Sequence, residues 1–229
     1  MGEFFQQVGE LFGTPEYMSS LFKGLLTTLL ISVFAILVGM ILGLLIAVIQ
    51  TAKDSKWMKI PKGICRVYVA IIRGTPMALQ LFMMFFIVFA IRDFPEMITA
   101  ILAFGLNSAA YASEIFRSGI LSVDKGQKEA GESLGLTKWT IFKKIIGPQA
   151  LKNSILPYGS EIVTVVKETA IVSMVGMYDL NMAAKDIGSG QNMASYVVPM
   201  FVVALFYLLI VFLITKGVAI LDRRLRESD

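Results

Sequence analysis

Residues 24–52 read GLLTTLLISVFAILVGMILGLLIAVIQTA and contain no charged side chain. A helix needs about 20 largely apolar residues to cross the hydrocarbon core of a bilayer, so this stretch is long enough to span a membrane. The rest of the 229-residue chain has a similar character, since 56% of its residues are hydrophobic and 17% are charged. A soluble domain carries about 25% charged residues. The sequence therefore predicts an all-α membrane protein, with residues 1–229 as a single transmembrane domain.

Five apolar stretches predict five transmembrane helices. They are residues 24–52, 74–91, 97–113, 154–176 and 187–215. The fourth stretch is interrupted by Glu161, Lys167 and Glu168, and it is the least regular of the five. An ionisable group in hydrocarbon costs at least about 2.5–3.5 kcal/mol at a helix centre. These three side chains are therefore expected to face the interior of the helix bundle rather than lipid.

Two local features are expected to shape the first two spans. Gly39 and Gly43 form a Gly-x-x-x-Gly motif, which lets another helix approach closely but also occurs often by chance. Thr75-Pro76 lies near the start of the second span. Proline removes a backbone donor, so a bend is expected there.

The lysines and arginines outside the spans predict the orientation of the chain. One side carries Lys53, Lys56, Lys59, Lys62, Lys125, Lys128, Lys138, Lys143, Lys144, Lys152, Arg223, Arg224 and Arg226, and the other carries Lys23, Arg92 and Lys185. Cytoplasmic loops carry the excess of positive charge. The N-terminus is therefore predicted outside and the C-terminus in the cytoplasm. The net charge of +4 is explained by this asymmetry, and no nucleic-acid partner is expected.

The composition also excludes several kinds of chemistry. The chain has no histidine and a single cysteine, Cys65, so a zinc cluster or an intramolecular disulfide is excluded. No Gly-x-x-x-x-Gly-Lys-Ser/Thr phosphate loop occurs. We expect no metal site, no cofactor held by this chain and no enzyme activity of its own.

Residues 1–20 are predicted to form an amphipathic segment on the outer membrane surface. Phe4, Val8, Leu11 and Phe12 recur at helical spacing, and Pro15 is expected to end the helix. A loosely ordered tail is the alternative interpretation.

Residues 121–153 form the longest predicted cytoplasmic loop. Asp124 can cap a helix over residues 127–134, and Gly135 suits the left-handed position that ends a helix. Thr137 can cap a second helix, whose apolar face is Trp139, Phe142, Ile145 and Ile146. Gly147-Pro148 is expected to end it. The pattern predicts a helix, a glycine turn and a second helix on the cytoplasmic side.

This loop resembles a known family. Glu129-Ala130-Gly131, followed by Gly135 and later by Ile155-Leu156-Pro157, is similar to the EAA signature of permease subunits of bacterial ABC importers. The third position of the signature is usually alanine and is Gly131 here. Further segments resemble the polar amino-acid uptake subfamily. They are Arg73-Gly74-Thr75-Pro76 with Gln80, residues 107–120 and residues 167–173.

The resemblance implies a coupling helix that sits in a cleft of a cytoplasmic ATPase subunit. Its residues would be Lys128, Glu129, Ala130, Gly131, Glu132 and Gly135. It further implies an importer in the bacterial cytoplasmic membrane, with a second permease subunit (identical or homologous), two ATPase subunits that hold ATP and Mg, and an external solute-binding protein. An amino acid would be the substrate.

Polar residues inside the predicted spans are candidates for the substrate pathway. They are Thr75, Gln80, Asn107, Ser108, Tyr111, Glu114, Glu161, Lys167 and Glu168. Lysine can bind the carboxylate of a zwitterion and glutamate its ammonium group. The alternative for Glu114 is an ion pair with Arg117, and for the group in span 4 it is an internal ion-pair network.

Two other functions remain open at the level of sequence. A small secondary transporter driven by an ion gradient would use Glu114, Glu161 and Glu168 as ion sites, but it would not need the helical pair in the loop. A membrane scaffold without transport would leave the polar groups of the spans unexplained.

Overall fold

The computed structural model describes residues 2–190 and 195–227, and each regular element within these residues is helical. The helices are α1 (Gly2–Gly13), α2 (Pro15–Thr51), α3 (Lys59–Arg73), α4 (Met77–Met83), α5 (Glu96–Leu121), α6 (Lys125–Ser133), α7 (Lys138–Ile141), α8 (Gly147–Glu168), α9 (Leu180–Gly188) and α10 (Val197–Arg226). Helix α4 continues as a π-helical turn over Met84–Val88. Helix α8 continues as a tighter 3₁₀ helix over Thr169–Val175.

Three of the described helices are long and apolar enough to cross a membrane. These are α2, α5 and α10, and a fourth span is obtained when α3 and the segment Met77–Val88 are counted as one bent pair. The prediction of an all-helical protein with membrane helices is confirmed to this extent. Helix α8, which contains residues 154–168 of the predicted fourth span, carries Glu161, Lys167 and Glu168. The count of five spans and the orientation of the termini remain predictions.

The predicted bend at Thr75-Pro76 is confirmed. Helix α3 ends at Arg73, α4 begins at Met77, and the two are bent by 107°. Pro76 has no N–H to continue the helical hydrogen bonds of α3. The hydroxyl of Thr75 donates instead to the carbonyl of Ile71 at 2.9 Å.

The described part of the chain forms two compact units. The first contains residues 2–35, 77–104, 163–190 and 195–213. Its apolar core combines α1, the start of α2, α9 and α10, and its buried residues are Leu11, Leu21, Leu180, Ala183, Ala184, Ile187, Val198, Val202 and Val203. Phe4 and Val8 of α1 pack against this core. The helix expected in the N-terminal segment is therefore present, and part of its apolar face is covered by protein.

The second unit contains residues 36–76, 105–162 and 214–227. Helix α2 packs against α5 here, because Gly39 and Gly43 leave room for the other backbone. A Cβ atom at Gly39 would lie 2.7 Å from Ser108 Oγ, and one at Gly43 would lie 2.6 Å from Ala112 Cβ. The Gly-x-x-x-Gly motif is thus a true packing contact.

The last predicted span differs from the structure. The uncharged run 187–215 was expected to be one helix, but α9 ends at Gly188 and α10 begins at Val197. Residues 191–194 of this run lie outside the described residues. Tyr196 packs closely on Gly188, since a Cβ there would lie 2.6 Å from the tyrosine ring. An apolar run reports burial and does not by itself show where one helix ends and another begins.

Candidate functional site

Helix α6 begins as the sequence predicts. Oδ1 of Asp124 accepts a hydrogen bond from the backbone N–H of Gly126 at 2.6 Å, so Asp124 caps the helix. The first helical residue is Lys125, two positions earlier than predicted. The cap satisfies a backbone donor that the helix itself cannot satisfy.

Gly135 ends α6 in the predicted left-handed conformation, with φ of 70°. Its N–H donates to the carbonyl of Glu132 at 3.0 Å, and the N–H of Leu136 donates to the carbonyl of Gly131 at 3.1 Å. These two bonds form the Schellman motif that closes many helices. Thr137 then caps α7 by accepting from the N–H of Thr140 at 3.2 Å.

Gly131 lets a surface approach closely, and that surface belongs to the same chain. Gly131 is buried, and a Cβ there would lie 2.9 Å from Cγ1 of Ile141 and 3.3 Å from Cδ1 of Ile145. Helix α6 therefore rests on the following helix through this glycine. Lys128, Glu129, Ala130, Glu132 and Gly135 are all exposed. The candidate coupling residues other than Gly131 are thus presented on the surface.

The predicted helix end at Gly147-Pro148 is wrong. Helix α7 passes through a π-helical turn over Phe142–Ile146 directly into α8, which begins at Gly147. The N–H of Gly147 donates to the carbonyl of Phe142, five residues earlier. This wider turn lets the chain remain helical where Pro148 lacks a donor. The second loop helix and the predicted fourth span are consequently continuous.

A cavity of about 410 Å³ lies within the second unit, between the end of α2, α3 and α5. Its lining includes Arg66 and Arg73 of α3 and Glu114 and Arg117 of α5, together with Gln50. Three guanidinium groups and one carboxylate leave it with an excess of positive charge. Arginine suits the planar oxygen pair of a carboxylate.

A second cavity of about 660 Å³ shares Arg73 and Glu114 with the first. The guanidinium of Arg73 lies over the ring of Tyr111, 5.2 Å from its centroid. Asn153 of α8 also lines this cavity and donates to Oγ of Ser122 at 2.8 Å. Two of the predicted pathway residues, Tyr111 and Glu114, therefore meet at one polar cavity.

Glu114 forms the ion pair that was the alternative interpretation, and it also lines both cavities. Nη2 of Arg117 lies 2.7 Å from Oε2 of Glu114, and Nε lies 3.1 Å from Oε1. This two-point contact fixes both side chains at one turn of α5. The pair keeps about a quarter to a third of its side-chain surface exposed, at 25% for Glu114 and 34% for Arg117.

The remaining pathway candidates are divided between the two units. Thr75 in the second unit lies at the bend, and Asn107 is 5% exposed. Ser108 is completely buried against Gly39, and its hydroxyl has no hydrogen-bond partner among the described residues. Glu161 is 9% exposed. Gln80, Lys167 and Glu168 belong to the first unit.

Sequence reasoning did not assign site roles to Arg66 and Arg73. Arg73 entered the sequence analysis only as part of a family segment. They are seven residues apart on α3, and this spacing places them on one face of the helix. That spacing was the available signal, but the cavity depends on α5 and was not predictable from α3 alone.

Sequence reasoning also missed Asp179, which precedes α9 in the first unit. It is completely buried, and Oδ1 accepts from the N–H of Met182 at 2.7 Å. Oδ2 has no hydrogen-bond partner among the described residues. Burial raises the pKa of Asp179 to about 6, although the hydrogen bond from Met182 acts in the opposite direction. The carboxyl group serves as a helix cap in a setting that disfavours its charge.

Lys62 is buried and ties the loop between α2 and α3 to α3. Its ammonium group lies 2.6 Å from the carbonyl of Ala52 and 2.6 Å from Oδ1 of Asp54. The hydrogen bond and the charge of Lys62 hold the pKa of Asp54 below its usual value. This lysine, counted in the sequence as a topology signal, also fixes local structure.

Residues 39–227 match the family described as the binding-protein-dependent transport system inner membrane component. Since the match covers most of the chain, the protein belongs to this family of transport permeases. The helical loop and the polar cavities are consistent with this class of transport protein.

Curated relatives match nearly the full length of the chain. A putative glutamine transport system permease protein, GlnP, of Rickettsia conorii is 36% identical and covers 89% of this chain and 91% of its own length. The arginine transport system permease protein ArtQ of Bacillus subtilis is 35% identical, and the match covers 90% of this chain and 93% of that protein. The L-cystine transport system permease protein TcyB of the same organism is 35% identical, and the match covers 88% of this chain and 85% of that protein.

Solved structures agree in fold. A crystal structure of an amino acid ABC transporter with histidines matches with a TM-score of 0.81 at 33% identity, covering 91% of this chain and 95% of that one. An inward-facing structure of the MetNI methionine ABC transporter matches with a TM-score of 0.70 at 22% identity, covering 93% and 99%. These findings identify the fold as that of ABC permeases. They give no support to the ion-gradient-driven alternative.

Proposed function

We propose that the chain is the permease subunit of an ABC importer for polar or charged amino acids. The observation that carries the proposal is the exposed helix α6, closed by Asp124 and Gly135 and seated on the next helix through Gly131. The relatives described above, named for glutamine, arginine and cystine transport, support the substrate class. In the proposed topology, α8 forms the fourth of five transmembrane spans. The N-terminus lies outside and the C-terminus in the bacterial cytoplasm.

The proposed complex contains two permease subunits, identical or homologous, two cytoplasmic ATPase subunits and an external solute-binding protein. Family membership supports this composition in general terms. ATP and Mg would be bound by the ATPase subunits. Closure of the ATPase pair would move α6 as a rigid body and switch the membrane helices between outward-facing and inward-facing arrangements.

The exposed residues Glu129, Ala130 and Glu132 would contact the ATPase, with Lys128 beside them and Gly135 setting the end of the helix. Gly131 would act differently, by transmitting movement of α6 to Ile141 and Ile145 of the second loop helix. Because that helix continues into α8, a shift of α6 would reach the predicted fourth span without a hinge at Gly147.

The substrate pathway would use Tyr111 and Glu114 in the second unit, where they line the two polar cavities. Thr75, Asn107, Ser108 and Glu161 of that unit are further members of the proposed pathway. Gln80, Lys167 and Glu168 are the candidate pathway residues of the first unit. Glu114 would act on the ammonium group of a zwitterion, although its pairing with Arg117 lowers the charge it presents.

Reconstituted uptake tests the proposal. The chain is co-expressed with its ATPase subunit and placed in vesicles, and radiolabelled glutamine, arginine and cystine are supplied with the solute-binding protein. Uptake should require ATP inside the compartment that holds the ATPase and should persist when the proton gradient is collapsed. Uptake that is independent of ATP and lost with the gradient would overturn the proposal.

A charge reversal on α6 tests the coupling role separately. Glu129→Lys should abolish stimulation of ATP hydrolysis by the binding protein and reduce uptake, while the chain still inserts into the membrane. Glu3→Lys on α1 is the matched control, because it makes the same charge change on an exposed residue that is distant in the sequence. Equal activity of the two variants would remove α6 from the proposed coupling route.

A further inference from the structure

A groove of about 500 Å³ lies within the second unit, on the loop side of α2 and α5. Its apolar lining comes from the ends of both helices and from the second loop helix, and it includes Val48, Ile120, Leu121, Ile141 and Phe142. Leu121 is 63% exposed, although it is a large hydrophobic residue. We call this feature the lysine groove, for the residues described next.

Four lysines from three segments of the chain stand around the apolar lining. Lys53 follows α2, Lys125 and Lys128 belong to α6, and Lys138 begins α7. All four are exposed. The acidic residues of the groove are Asp124 and Glu132. The groove therefore carries more positive than negative charge around an apolar floor.

Trp139 lines this groove and indicates its depth relative to the membrane surface. Its indole ring is 68% exposed and stacks on Phe142, with ring centroids 6.3 Å apart. Exposed tryptophan is typical of the boundary between hydrocarbon and head groups, where its ring is apolar and its N–H reaches polar atoms. The candidate membrane helices α2 and α5 end at Thr51 and Leu121, next to the groove.

We propose that the lysine groove binds an anionic phospholipid of the cytoplasmic leaflet. The occupant must be apolar along the floor and anionic at the rim, and a phospholipid combines both in one molecule. An acyl chain lies along Val48, Ile120 and Leu121, and the phosphate and its acidic head group face the lysines. A second copy of this chain, with its net charge of +4, does not match the charge of the rim.

The site would connect the lipid composition of the membrane to the proposed coupling helix. Lys125 and Lys128 stand on α6, so a bound head group would hold α6 close to the ends of α2 and α5. The presence of the groove depends on the geometry and not on the proposed transport function. The proposal is therefore tested on the full chain without uptake.

Tryptophan fluorescence provides a direct test, because the chain has two tryptophans, Trp57 and Trp139. The Trp57→Phe variant of the full chain is placed in nanodiscs of phosphatidylcholine that contain an equal fraction of either brominated phosphatidylglycerol or brominated phosphatidylcholine. Bromine quenches indole fluorescence at short range. Trp139 should be quenched more strongly by the brominated phosphatidylglycerol, and equal quenching by both lipids would overturn the proposal.

Paired substitutions separate the groove from general surface charge. Lys53→Gln with Lys138→Gln removes two rim charges, and each loss is expected to weaken the preference for the anionic lipid by about fivefold. Lys56→Gln with Lys143→Gln is the matched control, since it removes the same charge from the same two segments outside the groove. An equal loss of preference in both pairs would indicate attraction by overall charge and would overturn the proposal.

Two further measurements complete the design. If the glutamine pair fails to fold, the Lys53→Arg, Lys138→Arg pair should keep the lipid preference of the parent, and its loss there would count against a phosphate contact. The purified ATPase subunit is then added to the Trp57→Phe nanodiscs, with its own tryptophan signal subtracted. If it displaces the brominated phosphatidylglycerol from Trp139, the groove is part of the ATPase interface and the proposal fails.

Discussion

The loop over residues 121–153 and the cavity between α3 and α5 are both polar, but their side chains are held in different ways. In the loop, the contacts join near neighbours, such as Asp124 with Gly126 and Thr137 with Thr140. At the cavity, the contacts join distant residues, such as Arg73 with Tyr111, and the hydroxyl of Tyr68 donates to the carbonyl of Leu106. The comparison shows that the loop is specified locally, whereas the cavity depends on how the helices pack.

The largest expected effect is at a contact between distant segments. Gly24→Ala would place a Cβ 2.6 Å from the backbone oxygen of Asp179, and a backbone atom cannot move aside cheaply. Overpacking of this kind costs about 3 kcal/mol. Thermal unfolding of the purified chain measures it. Gly217→Ala is the control, because nothing lies within 4 Å of that position. Equal stability of the two variants would show that the α2 contact is not tight.

A pH titration tests a second distant contact, at Asp179. Burial raises its pKa from 3.8 to about 6, so the folded state favours the protonated carboxyl group. The resulting stabilisation is fully present below pH 3.8 and is lost as the pH rises through about 6. The shift corresponds to at most about 3 kcal/mol. Asp179→Asn keeps a capping oxygen but has no charge to bury. It should be more stable than the parent above pH 6 in chemical unfolding and similar near pH 4. A parallel pH dependence in both proteins would contradict the assignment.

Gly131 tests the loop at a contact that depends on space. Gly131→Leu would press α6 away from Ile141 and should reduce ATP-driven uptake about tenfold, which corresponds to about 1.4 kcal/mol. Gly131→Ala should have a much smaller effect, because the atoms it meets are ends of flexible isoleucine side chains at 3.2–3.3 Å and one Cγ1 at 2.9 Å. Uptake is measured in vesicles. Equal losses in both variants would indicate that the backbone freedom of glycine, rather than space, is required.

The smallest effect concerns ion pairs in the two regions. A double-mutant cycle with Glu114→Gln and Arg117→Gln should give a coupling energy of about 1 kcal/mol, since this pair has two contacts and is partly shielded from water. The Lys128–Glu132 pair of α6, separated by 4.0 Å and more exposed, should give about 0.3 kcal/mol. Both cycles are read from unfolding free energies. A larger value for the α6 pair would reverse the comparison.

The outcome for the helix ends follows the same division. Asp124, Gly135 and Thr137 were predicted correctly, because a cap depends on residues a few positions away. The end expected at Gly147-Pro148 was wrong, since a π-helical turn compensates for the missing donor of proline. The break inside 187–215 was missed, because its apolar residues serve two helices and the packing of Tyr196 on Gly188 carries no local signal.

The candidate site shows how far a sequence can be read. Tyr111 and Glu114 were predicted as polar residues within or next to a predicted span, and both line a cavity. Arg66 and Arg73 share a face of α3, but the cavity that they line also needs Glu114 and Arg117 of α5. Ser108 was expected at the pathway, yet it lies at the contact with Gly39. Which side of a buried helix faces a cavity is decided by its neighbours.

By itself, the sequence determined that the chain is apolar and helical, and it placed a capped helix and a glycine turn between the third and fourth predicted spans. These features follow from composition, from the period of the helix and from local hydrogen bonds. The tertiary structure alone decided that Ile141 packs against Gly131, that Asp179 is buried, and that three arginines and Glu114 line one cavity. The physical reason is that burial and close approach arise between segments far apart in the chain, where no local pattern records them.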